Sequence, residues 1–340
     1  MAFRSQQTFR AAGRVLGCIA AVVLAAPAVA QPRQDPDGIL TFQVENDAVT
    51  TQSGTSDRYY TSGLRLGYTS GTTGVPEFLA RFGSAVWGDG VQRISVDIAQ
   101  SIFTPARTQL RPPDPLDRPY AGYLSAGLSL IHDTSNARSV LGLRLGVVGP
   151  SALGRVVQNG FHSLVGDPQN RGWSSQLQDE PAIELLAARV YRVPFARAGG
   201  IEFDALPALA VGIGTVRDYV QAGVQVRFGQ GLDSDFGAPR MRPARSGSDA
   251  YTATRPFAWY VFAGADGQAV ARDVFLDGST FRDRTPSVSK KVLQGEFQAG
   301  VAVMAYGLRV SYTQTWRTEE FRNQRAGLFS YGSLAVSAKF

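Results

Sequence analysis

From residue 38 to the final position, apolar and polar side chains alternate every second residue in one run after another. In 38–47, Leu40, Phe42 and Val44 share one parity, and Thr41, Gln43, Glu45 and Asp47 the other. Leu64, Leu66 and Tyr68 oppose Gly63, Arg65 and Gly67, while Ile94, Val96 and Ile98 oppose Arg93, Ser95 and Asp97. Leu141, Leu143 and Leu145 oppose Gly142, Arg144 and Gly146, and Val220, Val224 and Phe228 oppose Gln221, Gln225 and Arg227. Side chains on a strand point to opposite faces in turn, so each run is a strand with one apolar and one wet face. That pattern admits a soluble sandwich as well as a membrane barrel.

Three features favour the barrel. The runs are about ten residues or longer, the length a tilted strand needs to cross a bilayer. Their polar parity carries glycine and arginine, which suits a crowded lumen better than a uniform solvated surface. The chain ends Leu334-x-Val336-x-Ala338-x-Phe340, an ending that resembles the C-terminal signature of bacterial outer-membrane barrel proteins. The expected fold is all-β, an antiparallel transmembrane β-barrel of about 12 strands with a short helix in an extracellular loop. Closure leaves no strand edge exposed. The strands fall near 38–47, 58–70, 91–103, 119–131, 138–149, 180–193, 200–215, 219–229, 255–272, 291–304, 306–316 and 329–340. With both termini periplasmic, the outer connections are 48–57, 104–118, 150–179, 216–218, 273–290 and 317–328. The inner connections include 71–90, 132–137, 194–199 and 230–254.

Residues 1–30 read as a signal peptide, and 31–340 as the barrel domain. Arg4, Arg10 and Arg14 form a positive start, Val15 to Ala26 an apolar stretch too short to span, and Ala28-Val29-Ala30 a small-residue cleavage site. The chain is therefore expected to be exported to the bacterial outer membrane. Its one cysteine, Cys18, lies in that segment, so the barrel domain has no disulfide, catalytic thiolate or cysteine metal site. The formal charge falls from +6 to +3 once the three arginines leave with a segment that contains no acid. Such a mild charge argues against a nucleic-acid partner.

The stretch 148–167, VGPSALGRVVQNGFHSLVGD, breaks the alternation. Leu153, Val156, Val157, Phe161, Leu164 and Val165 follow helical spacing on one face, with Arg155, Gln158, Asn159 and His162 on the other. Ser151 is placed to cap the amino end and Gly166 the carboxyl end. His162 is either a polar residue of a plug helix or a general base. The other histidine, His132, falls by parity at a periplasmic turn as a solvated residue, so a histidine base on the outer side would be His162.

Glu45-Asn46-Asp47 closes the first strand at the outer rim, and Asp57-Arg58-Tyr59-Tyr60-Thr61 opens the second there. Asn-Asp at a strand end is also ordinary turn chemistry. By parity Asp47 and Thr61 face inward, two oxygens able to contribute to a calcium (Ca2+) site. Asp117-Arg118-Pro119-Tyr120 opens the fourth strand at the same rim and reads as a rim salt bridge with an aromatic-belt tyrosine. Arg107 and Arg111, in a proline-rich outer loop, are either phosphate contacts or solvated charges.

At these residues the chain resembles the lipid A 3′-O-deacylases, calcium-dependent outer-membrane barrels that remove acyl chains from lipopolysaccharide. The matching stretches are TFQVENDA, SDRYYTSGLRLGY, DRPYAGYL and GVVGPSALGRVVQNGFHSLVGDPQNRGWSSQLQDEP, spanning most of 38–193. The resemblance implies that His162 is the catalytic histidine, that Asn46 and Asp47 are the essential Asn-Asp pair, and that Thr61 belongs to the same site. It further implies a lysine in the outer loop, where this chain has only arginines between Thr104 and Arg118, and an acid shortly after the histidine. Six positions after His162 stands Pro168, with Asp167 beside it as the acid partner to be tested.

On this reading His162 activates a water against an ester of lipid A. Asp47 and Thr61 hold calcium, Asn46 orients the site, and Arg107, Arg111, Arg155 and Gln158 contact substrate. The expected partner is lipid A in the outer leaflet, acted on by a monomer. The rivals are an outer-membrane phospholipase and a non-enzymatic pore or adhesin with a plug helix.

Overall fold

The computed structural model describes residues 33–49, 57–241 and 249–340. The expected signal peptide lies outside them. Thirteen strands form among the described residues, all paired antiparallel. They are β1 (Ile39–Asn46), β2 (Tyr59–Thr69), β3 (Val91–Thr104), β4 (Ala121–Asp133), β5 (Ala137–Val148), β6 (Glu180–Tyr191) and β7 (Val193–Ala198). The rest are β8 (Ile201–Gly214), β9 (Arg217–Gln230), β10 (Phe257–Asp273), β11 (Leu293–Ala305), β12 (Leu308–Arg317) and β13 (Phe329–Lys339). β1 pairs with β13 from Ile39↔Lys339 to Asn46↔Gly332, and β6 pairs with β8, closing a barrel of twelve strands. The alternation drives this. Leu40, Phe42, Leu66, Ile98, Leu145 and Val220 are exposed on the outer wall, an apolar belt that lipid would cover, while Thr41, Gln43, Arg65 and Ser95 are buried within.

The thirteenth strand, β7, was expected as a periplasmic turn at 194–199. It pairs with the first part of β8, from Val193↔Ala205 to Ala198↔Ile201, and the turn is the pair Gly199-Gly200, with φ of 58° and 84°. Two left-handed residues make the tight hairpin whose twist matches the strands, and glycine reaches that region at no steric cost.

The lumen is partly filled by the chain itself. Of the connection between β9 and β10, expected as a periplasmic loop over 230–254, the described residues 231–241 and 249–256 fold up into it. Phe236 lies under the guanidinium groups of Arg138 and Arg192, Pro239 O accepts from Gln43, and Met241 N donates to Glu45. Buried ion pairs hold the segment to the wall: Asp235 to Arg227 (2.6 Å) and Arg309 (3.2 Å), Asp249 to Arg65, and Arg240 to Asp266 (2.9 Å) and Glu296. Lumen arginines find their counter-charges on this segment, because charges removed from water persist only when paired and hydrogen-bonded. At the outer end Tyr59, Tyr60, Phe103, Phe275, Phe329 and Tyr331 form an aromatic cluster over the plug.

Two helices flank the wall. The first, α1 (Glu77–Trp87), lies in the inner connection between β2 and β3. It covers His132, which is wholly buried at the end of β4 and not a solvated turn residue. Its Nδ1 lies 2.9 Å from Gln92, and its ring packs 5.5 Å from that of Trp87. Gly83 gives the helix its close approach, since a side chain there would press on both Gln92 and His132. The second, α2 (Gly154–Val165), is at the opposite end.

Candidate active site

The chain leaves β5 through Gly149 (φ 118°), where any side chain would strike the backbone of Gln178 and Asp179. A 3-10 turn, Pro150–Ala152, and a left-handed Leu153 (φ 61°) then start α2. Ser151 is not the amino cap: its N and Oγ bond the Asp179 carboxylate, both at 2.7 Å, so the turn is tied to the chain entering β6. Gly166 does end the helix, in the left-handed conformation at φ 81°.

Small residues seat the helix. Gly122 of β4 faces Ala152 and Gly154, and Gln100 Nε2 of β3 donates to Ala152 O at 2.7 Å. Ile102 of β3 shares the outward parity of Val96 and Ile98, yet it is buried with Tyr120 and Trp173, and Val157 packs against them. The helix therefore lies on the outer wall, and the plug-helix placement is corrected. Its polar face points inward, with Gln158 and His162 buried. Val156, Phe161, Leu164 and Val165 are exposed, Leu164 at 82%. An apolar face turned outward is the expected orientation where the surroundings are acyl chains rather than water.

His162 sits between two acceptors. Its Nδ1 is 2.7 Å from Pro168 O and its Nε2 is 2.8 Å from Asp57 Oδ2. Both ring nitrogens thus face oxygen acceptors, one a backbone carbonyl and the other a carboxylate. Asp57 adopts a left-handed backbone (φ 57°), and Gln158 Nε2 donates to its Oδ1 at 2.9 Å. Gln158 is in turn fixed by Trp173 Nε1 through its Oε1, also at 2.9 Å. Asp167 is exposed and gives the histidine only a backbone bond, N to His162 O, so the acid at the ring is Asp57 and not Asp167. Where the resemblance puts an acid, Pro168 supplies a carbonyl oxygen to the same ring.

Thr61, buried, stands at a local irregularity of the sheet. A bulge between Tyr60 and Ser62 in the β2–β3 ladder inserts Thr61 as an extra residue. Thr61 Oγ1 meets Thr104 Oγ1 (2.7 Å), and Thr104 Oγ1 donates to Asp57 O at 3.0 Å. Asp47 joins from β1. Its N donates to Thr61 O (3.1 Å) and its Oδ2 accepts from Arg58 N (2.8 Å). Burial raises the Asp47 carboxyl well above the usual range, and the nearby Asp57 charge adds to the rise against the bond from Arg58.

Asn46 is half-buried on the outward parity of β1, where its Oδ1 accepts from Ala48 N at 2.7 Å and turns the chain. Arg107 is exposed and pairs with Asp114, while Arg111 and Arg155 are exposed without contact to the histidine. Arg118 makes the expected salt bridge, but wholly buried, to Glu320 at 2.9 Å. Tyr120 is no belt residue. It is buried against Trp173, and its hydroxyl donates to Thr108 O.

The donor chemistry here fits a hard cation. Two neighbouring carboxylates, Asp47 and Asp57, sit beside the Thr61 and Thr104 hydroxyls, and one carboxyl is already disfavoured as an anion. Among the described residues no group of three or more His, Cys, Asp or Glu gathers as a metal set. A cation would draw its remaining ligands from hydroxyl, backbone and water oxygens, as calcium readily does.

The model of the family described as outer membrane protein LpxR matches residues 16–340. Among solved structures, the chain is similar in fold to LpxR from Salmonella typhimurium, with a TM-score of 0.75 at 22% identity over 89% of this chain and 100% of that one. The β domain of the Bordetella autotransporter BrkA gives 0.43 at 9% identity, over 91% of this chain and 100% of that one. The NanC porin gives 0.36 at 8% identity, over 88% of this chain and 100% of that one. No curated protein matches the chain in sequence. With a family model covering nearly the whole chain, and a twelve-stranded barrel carrying α2 on its outer wall, this protein belongs to the LpxR family of outer-membrane proteins.

Proposed function

We propose that the chain is an outer-membrane ester hydrolase that removes a 3′-O-linked acyl or acyloxyacyl chain from lipid A of lipopolysaccharide. One observation carries this reading: His162 and Asp57 meet at 2.8 Å beneath a helix whose apolar face is turned outward, where an acyl substrate lies. The bond from Nδ1 to Pro168 fixes the tautomer, so Nε2 is the basic nitrogen of the neutral ring. His162 Nε2 takes a proton from water as the oxygen adds to the ester carbonyl carbon. Asp57, 2.8 Å from the same nitrogen, would then pair with the imidazolium. Collapse of the tetrahedral species breaks the carbon–oxygen bond to the sugar, and the imidazolium returns its proton to that leaving oxygen. Gln158 and Trp173 keep Asp57 in line. Asp47 and Thr61, with Asp57 and Thr104 alongside, would hold calcium, which supplies charge to stabilise the developing oxyanion.

Mass spectrometry of lipid A and phospholipids after expression tests the proposal. Lipid A lighter by one 3′-linked acyl or acyloxyacyl chain is expected, with intact phospholipids. Lysophospholipid in its place would make the protein a phospholipase, and unchanged lipids would remove the hydrolase reading. A pore is disfavoured by the ion-paired plug in the lumen.

A further inference from the structure

We propose that Arg58 and Arg325 form an anion subsite for a phosphate monoester on the glycolipid, beside the ester that is cut. This rests on the hydrolase reading above. The two side chains line one pocket at the outer rim, between the start of β2 and the start of β13, with Tyr59 and Gly327. Tyr59 OH accepts from Arg325 N at 3.0 Å and so ties the two sides of the pocket together.

What sets this pair apart is the absence of counter-charge. Arg65, Arg93, Arg118, Arg227, Arg309 and Arg317 are all in buried ion pairs. Arg58 and Arg325 have no ion-pair partner among the described residues, and Arg58 Nε is buried without an acceptor. Arg58 cannot turn to the nearest carboxylates without cost. Asp47 already accepts its backbone N–H, and Asp57 is taken by His162 and Gln158. A half-buried guanidinium that lacks an acceptor, sharing a pocket with a second one, is suited to a doubly charged oxyanion held through both forks. The position gives the anion a role. Arg58 is the chain neighbour of Asp57, which pairs with His162, so the pocket and the histidine belong to the same outer rim. In lipid A the phosphate-bearing carbon of the distal sugar neighbours the carbon that carries the 3′ ester, and a phosphate fixed here would register that ester against His162.

The test compares lipid A with the same lipid A stripped of its distal-sugar phosphate, bound to the full-length barrel carrying His162→Gln so that nothing turns over. Loss of the phosphate is expected to weaken binding on the order of tenfold or more. Arg325→Gln, at an exposed position that leaves folding intact, should shrink that ratio, and adding Arg58→Gln should bring it towards one. Equal binding of the two lipids, or a ratio that survives both substitutions, overturns the proposal. So does tight binding of inorganic phosphate with no preference between the lipids, which would assign the pocket to the free ion. Acyl release by the unsubstituted barrel is read separately: its absence from both lipids counts against the hydrolase, while the binding ratio still decides the subsite.

Discussion

Two helices lie on the outer wall of this barrel, at opposite ends of the same two strands; one covers a histidine of the wall and the other carries one. α1 covers His132 and Gln92 at the inner rim, and α2, whose Val157 packs on Ile102, carries His162 at the outer rim. Both helices turn apolar residues outward, Phe78, Phe82 and Val86 on one and Val156, Phe161 and Leu164 on the other. The difference is in what reaches the ring. His132 meets an amide and an indole, with its Nε2 buried and lacking a partner. His162 meets a carboxylate and a carbonyl from two separate segments. The same architecture gives one imidazole an amide and an indole as contacts and brings the other a carboxylate delivered by a loop.

The comparison is broken most severely by exchanging the rings. His162→Gln is expected to lower acyl release on the order of a thousandfold with folding intact, as judged by heat-modifiable mobility. His132→Gln should leave the rate within about twofold, its substitution touching no reacting group. Comparable losses from the two would end the distinction. Removing divalent cations comes next: chelation should cost roughly a hundredfold in acyl release, recovered by calcium, and an unchanged rate would take Asp47 and Thr61 out of a metal role. Asp57→Asn should cost about ten- to a hundredfold in turnover, whereas Asp167→Asn should cost nothing measurable in the same assay. Leu164→Asp sharpens the lipid side. It is expected to slow hydrolysis several-fold in bilayers but hardly in detergent, because a charge near the membrane interface costs roughly 1 kcal/mol. The smallest effect belongs to α1. Gly90→Ala would push on His132 and Asp133, lowering thermal stability by about 1 kcal/mol without altering turnover.

Much of this was readable from the chain alone. Side-chain alternation located twelve strands to within a few residues, since one face of each strand had to be apolar. Helical spacing separated His162 from the exposed face of α2. Other parts escaped because they depend on partners remote in sequence. Parity gave no sign of the bulge at Thr61, nor of its contact with Thr104. Asp57 lies over a hundred positions from His162, and local spacing carries no sign of that meeting; its place at the head of DRYYTSG was the available hint. The polar connection after β9 resembled a loop, because ion pairs to β2, β9, β10, β11 and β12 cannot be seen from composition. His132 looked solvated because α1 was not foreseen over 77–87.

The outward apolar face of α2 fixes how concentration must be counted for this protein. A site that opens against acyl chains meets its substrate in two dimensions, so its rate follows the mole fraction of that lipid in the surface rather than the amount per volume. Diluting a membrane with inert lipid should then slow the reaction even when every molecule of substrate is still in the tube.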